Sequence, residues 1–118
     1  MKLVETRISR EGLAEMAEAG FGDLVKAVVD VRRCVMAVDG ELHSDEEALL
    51  LDNGSEQADL WGVNLYPDLP HSEWIEFDSM INIRPSQGNR SRGIEDPAIR
   101  DRVVSIVASL VVDEPAAR

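Results

Sequence analysis

Near the start of the chain, apolar residues recur at the spacing of an amphipathic helix. Leu13, Met16 and Ala17 form the apolar stripe, and Ser9 before them is a residue type that caps helix N-termini. Gly20 follows the stripe, and glycine commonly ends helices. The pattern predicts a first, short helix between Ser9 and Gly20.

A longer amphipathic pattern lies toward the other end of the chain. Asp96 is a suitable N-cap, and Pro97 after it favours the first helical position. The apolar positions that follow recur every three or four residues: Ile99, Val103, Ile106, Val107, Leu110 and Val111. This pattern predicts the second main helix, with a frayed end near Pro115.

Between these helices the pattern changes to the two-residue period of β-strands. Strands are predicted at residues 25–31, 34–38, 60–66 and 73–83. In the last of these, one side carries Ile75, Phe77, Ser79, Ile81 and Ile83, and the other side is mostly polar. Alternation of this kind is typical of an antiparallel sheet with one covered face and one more polar face.

One segment fits two structures. In residues 44–54, SDEEALLLDNG, Ser44 and Glu47 match the capping-box spacing at the start of a helix. The same segment could instead form a strand through Leu49–Leu51, and the helical interpretation is preferred. The whole pattern predicts an α+β fold: a single two-layer domain over residues 1–118, with an antiparallel sheet and two main helices packed on one face.

Charge changes this picture more than composition does. The chain has 118 residues, 44% of them hydrophobic, and a net charge of −11. Residues 34–83 contain twelve acidic residues and no Lys or Arg. Such a chain does not favour binding to nucleic acid, which needs a basic surface, but it permits a basic protein partner or a divalent metal.

Compartment and redox state follow from what the sequence lacks. It contains no apolar run long enough to span a membrane and no signal-peptide pattern at its start. Cys34 is the one cysteine, so an internal disulfide cannot form. A cytoplasmic protein is expected, with Cys34 buried as a small hydrophobic residue in the apolar run 34–38.

The acidic tract ends at a loop rich in arginine, INIRPSQGNRSRG, residues 81–93. Its polar side chains include Asn89, Arg90 and Arg92, and arginines bind phosphates and carboxylates. Glu95 and Asp96 occupy the start of the following helix, where they would repel an incoming anion. The favoured interpretation is that the loop pairs with the chain's own acids, while binding of a small anion remains the alternative.

The polar side of the predicted sheet supplies a second set of candidates. Residues expected to project from it are Lys26, Asp30, Asn64, Asp78, Asn82 and Arg84. Two carboxylates such as Asp30 and Asp78 could perform acid–base chemistry if they met. A hydrogen-bonded structural network is the more common outcome for such residues.

The segment ELHSDEE supplies a weaker candidate for a metal site. His43 and Glu47 would share one face of a helix, and His43, Asp45 and Glu47 would share one side of a strand. One histidine with two carboxylates is a ligand set that divalent metals accept. Helix capping explains the same residues without a metal, and no cofactor is evident otherwise.

Several long strings resemble a small prokaryotic protein family of unknown function. They are KAVVDV, LHSDEEALLL, DLWGVNLYP and DSMINIRPSQGNRSRG. The resemblance runs in the same order over nearly the whole chain, from the first predicted helix to the last. It implies a cytosolic protein that forms one domain, and it brings no activity, cofactor or catalytic residue with it.

Three functions therefore stay open. The favoured one is a non-catalytic module that binds a small anion or a protein partner through the polar sheet face and the Arg84–Arg92 loop. The alternative is a metal-assisted hydrolase that uses His43, Asp45, Glu47 and Asp78. The third is an acidic surface that mimics nucleic acid or binds a basic partner, and an exposed edge strand would also permit a homodimer.

Overall fold

A five-stranded antiparallel sheet forms the centre of the computed structural model, which describes residues 1–113. Within that range the strands are β1 (Lys2–Val4), β2 (Ile8–Ser9), β3 (Val25–Asp30), β4 (Val35–Val38), β5 (Leu60–Leu65), β6 (Ile75–Glu76) and β7 (Val111–Val112). The α-helices are α1 (Arg10–Ala19), α2 (His43–Asp52) and α3 (Pro97–Leu110). The sheet order is β1-β4-β3-β5-β6, while β2 and β7 form a separate parallel pair.

The two predicted main helices are confirmed together with their caps. The Ser9 side chain accepts a hydrogen bond from the backbone N–H of Gly12 at 2.9 Å, and α1 begins at the next residue. Asp96 accepts one from the N–H of Ala98 at 2.9 Å, and Pro97 is the first residue of α3. Each cap satisfies an N–H that the first turn of a helix leaves without a partner.

Both main helices pack on one face of the sheet, which confirms the predicted α+β fold. Val25, Ala27 and Val29 of β3 point to this face and join the larger apolar cluster with residues of α1 and α3. The structure adds a third helix on the opposite face. There Val28 of β3 packs with the fully buried Leu50 of α2, and burying a leucine contributes roughly 1.5–3 kcal/mol.

The helical interpretation of residues 44–54 is confirmed, but the predicted capping box is wrong. Helix α2 begins at His43, so Ser44 lies inside its first turn. The N-cap position belongs to Leu42, whose side chain cannot accept a hydrogen bond. Helix α2 therefore starts without a side-chain cap.

The predicted strand 73–83 is wrong over most of its length, because only Ile75–Glu76 pairs with β5. Further along, the Asn82 side chain replaces a strand. Its Oδ1 accepts the N–H of Gly62 at 2.8 Å, and its Nδ2 donates to the Gly62 carbonyl at 2.9 Å. Ser79 packs so closely here that a Cβ on Gly62 would lie 2.6 Å from its side chain.

The predicted burial of Cys34 is also wrong. Cys34 is exposed and ends the four-residue turn between β3 and β4, where its φ is +58°. An apolar run in the sequence does not reveal that its first residue turns the chain rather than joining the strand. The strand begins one residue later, at Val35.

No helix within residues 1–113 is both long and apolar enough to cross a membrane. The frayed end predicted near Pro115 lies outside the described residues.

Candidate functional site

Polar strand residues lie at the two ends of the sheet face that α2 covers. Lys26 of β3 is opposite Asn64 of β5 in the sheet register, close to the start of α2. Asp30 lies four residues further along β3, about 13 Å away at roughly 3.3 Å per residue. The apolar cluster around Val28 separates the two ends, so the candidates from this face do not form one site.

The Lys26 end opens into a cavity of about 180 Å³, which we call the α2 cavity. Its walls come from β3, β5, the start of α2 and residues 78–81, with Arg92 at one side. Its charged and hydrogen-bonding side chains are those of Lys26, His43, Ser44, Asn64, Asp78, Ser79 and Arg92. The volume lies below the roughly 300–1,000 Å³ of sites for drug-sized ligands, so it suits a small polar molecule.

Lys26 is the lysine that lines the α2 cavity. It forms no ion pair with any described residue, and its Nζ lies 5.3 Å from the centroid of the Phe21 ring. Glu46 is the nearby buried carboxyl, but burial raises its pKa to about 9. Glu46 is therefore protonated at neutral pH and does not cancel the Lys26 charge.

Arg92 and Asp78 form an ion pair beside the cavity. The Arg92 Nε lies 2.6 Å from Asp78 Oδ1, and both side chains are about half-exposed. Exposed pairs of this kind contribute only about 0–1 kcal/mol, so the pair can rearrange around a ligand at little cost. Together Lys26, Arg92 and Asp78 give the cavity one net positive charge in an acidic chain.

Asn64 presents a buried acceptor that has no donor. Its side chain is 8% exposed, and its Nδ2 donates to Glu76 Oε1 at 2.8 Å and to the Asp78 carbonyl at 3.4 Å. Because both of those partners can only accept, the orientation of the amide is fixed. Asn64 Oδ1 is then fully buried with no hydrogen-bond partner among the described residues, and Asn64 is one of the residues that line the cavity.

His43 forms part of the cavity wall in its neutral form. Its Nε2 lies 2.8 Å from the Val63 carbonyl, which can only accept, so Nε2 carries the proton. Burial lowers the pKa of His43, and the nearby Lys26 charge lowers it further. At neutral pH His43 adds no charge to the cavity.

The uncapped start of α2 faces the same cavity through Leu42, His43 and Ser44. The backbone N–H groups of His43 and Ser44 donate no hydrogen bond to another described residue. Free N–H groups and the helix dipole make a helix N-terminus attractive to anions. Glu41 and Asp45 are exposed acids near this helix start, and Lys26 and Arg92 are the positive side chains that line the cavity.

A family model for proteins of unknown function, DUF5674, matches residues 2–110. The chain belongs to this family. No curated protein and no solved structure matches it with significant similarity. A function for the DUF5674 domain is therefore inferred from the geometry of its own residues.

The arginine loop of this DUF5674 domain binds mainly the chain's own atoms. Arg84 lies 3.8 Å from Glu47 and also donates to the carbonyls of Leu60 and Ile81. The backbone N–H groups of Arg90 and Ser91 donate to Glu95 Oε2 at 2.7 and 2.9 Å, which lowers the pKa of Glu95. The anion position in this loop is thus filled by the chain itself.

Among the loop arginines, Arg90 alone has no ion pair with the described residues. Its side chain is exposed and lies outside the α2 cavity. Arg92, by contrast, reaches the cavity. Arg90 and Arg92 were both anion-ligand candidates from the sequence, and only Arg92 lies beside Lys26, Asn64 and Asp78.

Three further candidates hold the fold together. Asp30 Oδ1 accepts from the N–H groups of Arg32 and Arg33 at 2.9 Å each, so it shapes the turn after β3. Asn82 binds Gly62, as described above. Asn89 is 3% exposed and donates to three loop carbonyls, which fixes the loop shape.

The weak metal candidates are not brought together. Within residues 1–113 no three His, Cys, Asp or Glu side chains are placed to hold a metal ion. His43 uses Nε2 on Val63, Asp45 is exposed on α2, and Glu47 contacts Arg84. Asp78 pairs with Arg92 instead of approaching Asp30.

Sequence reasoning missed two features in or near the cavity. One is the uncapped start of α2, because the Ser44–Glu47 spacing suggested a cap that the helix does not use. The other is Glu46, which has 0% exposure and therefore stays protonated beside Lys26. Residues four apart share one face of a helix, so the position of Glu46 four residues before the apolar Leu50 was the signal that Glu46 is buried.

A larger depression of about 570 Å³ adjoins the α2 cavity and shares Lys26 and Leu42 with it. Asp39 and Glu41 are acidic residues in its wall, and the exposed Phe21 forms another part. These two acids outnumber Lys26 and make the wall of this depression negative. We therefore place the candidate site in the smaller cavity, where the positive charge, the helix start and the buried acceptor meet.

Proposed function

We propose that this DUF5674 domain binds a small anion in the α2 cavity. The observation that carries the proposal is the convergence of Lys26, Arg92 and the uncapped start of α2 on one cavity in a chain of net charge −11. The ligand's negative group would lie against the N–H groups of His43 and Ser44, with Lys26 as its main counter-charge.

Three neighbouring groups add no uncompensated negative charge to the cavity. His43 is neutral, Glu46 is protonated at neutral pH, and Asp78 is paired with Arg92. A helix N-terminus favours a nearby negative charge by about 0.3–1 kcal/mol when exposed and by up to about 2 kcal/mol when partly buried. A hydrogen bond to a charged group adds about 1.5–3 kcal/mol.

The test is a calorimetric titration with inorganic phosphate at low ionic strength, where screening is weak. Phosphate is expected to bind the natural protein, and Lys26→Gln is expected to reduce the affinity at least about tenfold, since it removes one charge-assisted contact. Thermal melting without ligand checks that the variant is folded.

Arg90→Gln is the matched control for this titration. It removes the same charge from an exposed side chain outside the cavity, so its phosphate affinity is expected to stay within about twofold of the natural protein's. Equal losses of phosphate affinity in Lys26→Gln and Arg90→Gln would show that phosphate binds to general surface charge. If the folded natural protein binds no phosphate, the anion site is wrong.

A further inference from the structure

The α2 cavity has a second polar requirement besides positive charge. Asn64 Oδ1 is a buried acceptor without a donor among residues 1–113, and its amide cannot turn over because Glu76 and the Asp78 carbonyl hold the Nδ2 side. A buried acceptor left without a donor is unfavourable, so an N–H or O–H group on the occupant of the cavity would stabilise the complex.

Acceptors and positive groups line different parts of the cavity. Asn64 and Asp78 line the cavity from β5 and the segment after β6, whereas Lys26 and the first turn of α2 supply the positive groups. An anion without an N–H or O–H group satisfies only the positive groups. A molecule that carries a donor next to its anionic group satisfies both.

We infer that the ligand of the α2 cavity is a small carboxylate that bears a hydroxyl or amino group beside the carboxylate. This inference rests on the proposed anion site and names the class of ligand. The carboxylate would bind at Lys26 and the start of α2, and the neighbouring hydroxyl or ammonium would donate to Asn64 Oδ1. The volume of about 180 Å³ restricts the ligand to a small molecule of this class.

Three ligands of the same size test the inference: propionate, lactate and alanine. They differ only in carrying no donor, a hydroxyl or an ammonium on the carbon next to the carboxylate. Titration of the natural protein is expected to give an affinity for lactate or alanine about tenfold above that for propionate, as one added hydrogen bond in a buried site gives. The stronger of the two identifies the donor as hydroxyl or ammonium.

The variant Asn64→Leu removes the acceptor without adding a charge. Its expected behaviour is equal affinity for all three ligands, with the propionate affinity unchanged within about twofold. A melting curve without ligand shows whether the variant is folded, and if it is not, the comparison of the three ligands on the natural protein decides alone.

Equal affinity of the natural protein for propionate, lactate and alanine would overturn the inference and leave the anion site intact. Binding of phosphate but of none of the three carboxylates would also overturn it. A preference for lactate or alanine that persists in folded Asn64→Leu would place the donor contact elsewhere and reject the role of Asn64.

Discussion

At the scale of single residues, burial decides the charge of two titratable side chains in the first turn of α2. It lowers the pKa of His43 and raises that of Glu46 to about 9, so both are neutral near pH 7. The Glu46 carboxyl accepts a hydrogen bond from the Gly40 N–H through Oε2, while Oε1 has no partner among the described residues. The charge of Lys26 acts on both side chains and lowers the pKa of each.

The state of Glu46 predicts how stability depends on pH. The folded protein keeps this proton up to about pH 9, whereas an unfolded chain loses it near pH 4.5. Between those values the folded state binds more protons, so Glu46's contribution to stability falls as pH rises, by at most about 1.4 kcal/mol per unit. Glu46→Gln is expected to remove this loss and to be the more stable protein at pH 8.

Urea unfolding at pH 5, 6.5 and 8 measures this difference in the free energy of unfolding. Asp45→Asn is the control, because it removes an exposed carboxylate from the same helical turn. If the gap between Glu46→Gln and the natural protein stays constant across the three pH values, Glu46 is not protonated in the folded state.

At the scale of secondary-structure elements, the segment after β6 is held to the sheet by side chains instead of a strand ladder. Asn82 binds both backbone groups of the buried Gly62 and also donates to the Arg92 carbonyl at 2.9 Å. Asp78 and Ser79 of the same segment line the cavity. The clamp at Asn82 therefore positions one wall of the candidate site.

Removing this clamp is expected to destabilise the domain. Asn82→Ala leaves the N–H and C=O of Gly62 buried without partners, at a cost of about 3 kcal/mol in the free energy of unfolding. Chemical denaturation measures the loss. Asn53→Ala removes an exposed asparagine that makes one bond to the Leu49 carbonyl, and it is expected to cost at most about 1 kcal/mol.

A cost for Asn82→Ala no larger than that for Asn53→Ala would contradict the clamp. The same clamp explains why the strand predicted over residues 73–83 ends at Glu76: Asn82 takes the backbone groups of Gly62 that a longer strand would pair with. The predicted common face is also wrong, because Ile75 and Phe77 pack against the larger apolar cluster while Ile81 packs against the cluster under α2. A two-residue period cannot show that an asparagine side chain, not a backbone, occupies the edge of β5.

Some helices and strands were predictable from sequence, because their caps and their apolar periodicity depend only on residues close together in the chain. Helices α1 and α3 and strands β3 and β5 follow from such signals. The start of α2, the burial of Glu46 and the turn at Cys34 depend on what packs against them from distant parts of the chain. Local pattern does not carry that information.

At the scale of the whole molecule, the acidic tract and the arginine loop do meet, as the sequence favoured, but only in part. Arg84 contacts Glu47, and Arg92 contacts Asp78. The loop's amides hold Glu95, so the anion position before α3 is already occupied. The position before α2 is open, and Arg92 carries the loop's contribution to it.

The most direct measurement of the central claim is a titration with phosphate followed by backbone amide NMR. The amides of His43 and Ser44 are expected to shift and saturate, because these two residues line the α2 cavity, whereas the amides of Arg90 and Ser91 stay in place on Glu95. Saturating shifts at Arg90 and Ser91 with none at His43 and Ser44 would contradict the account and return the anion site to the arginine loop.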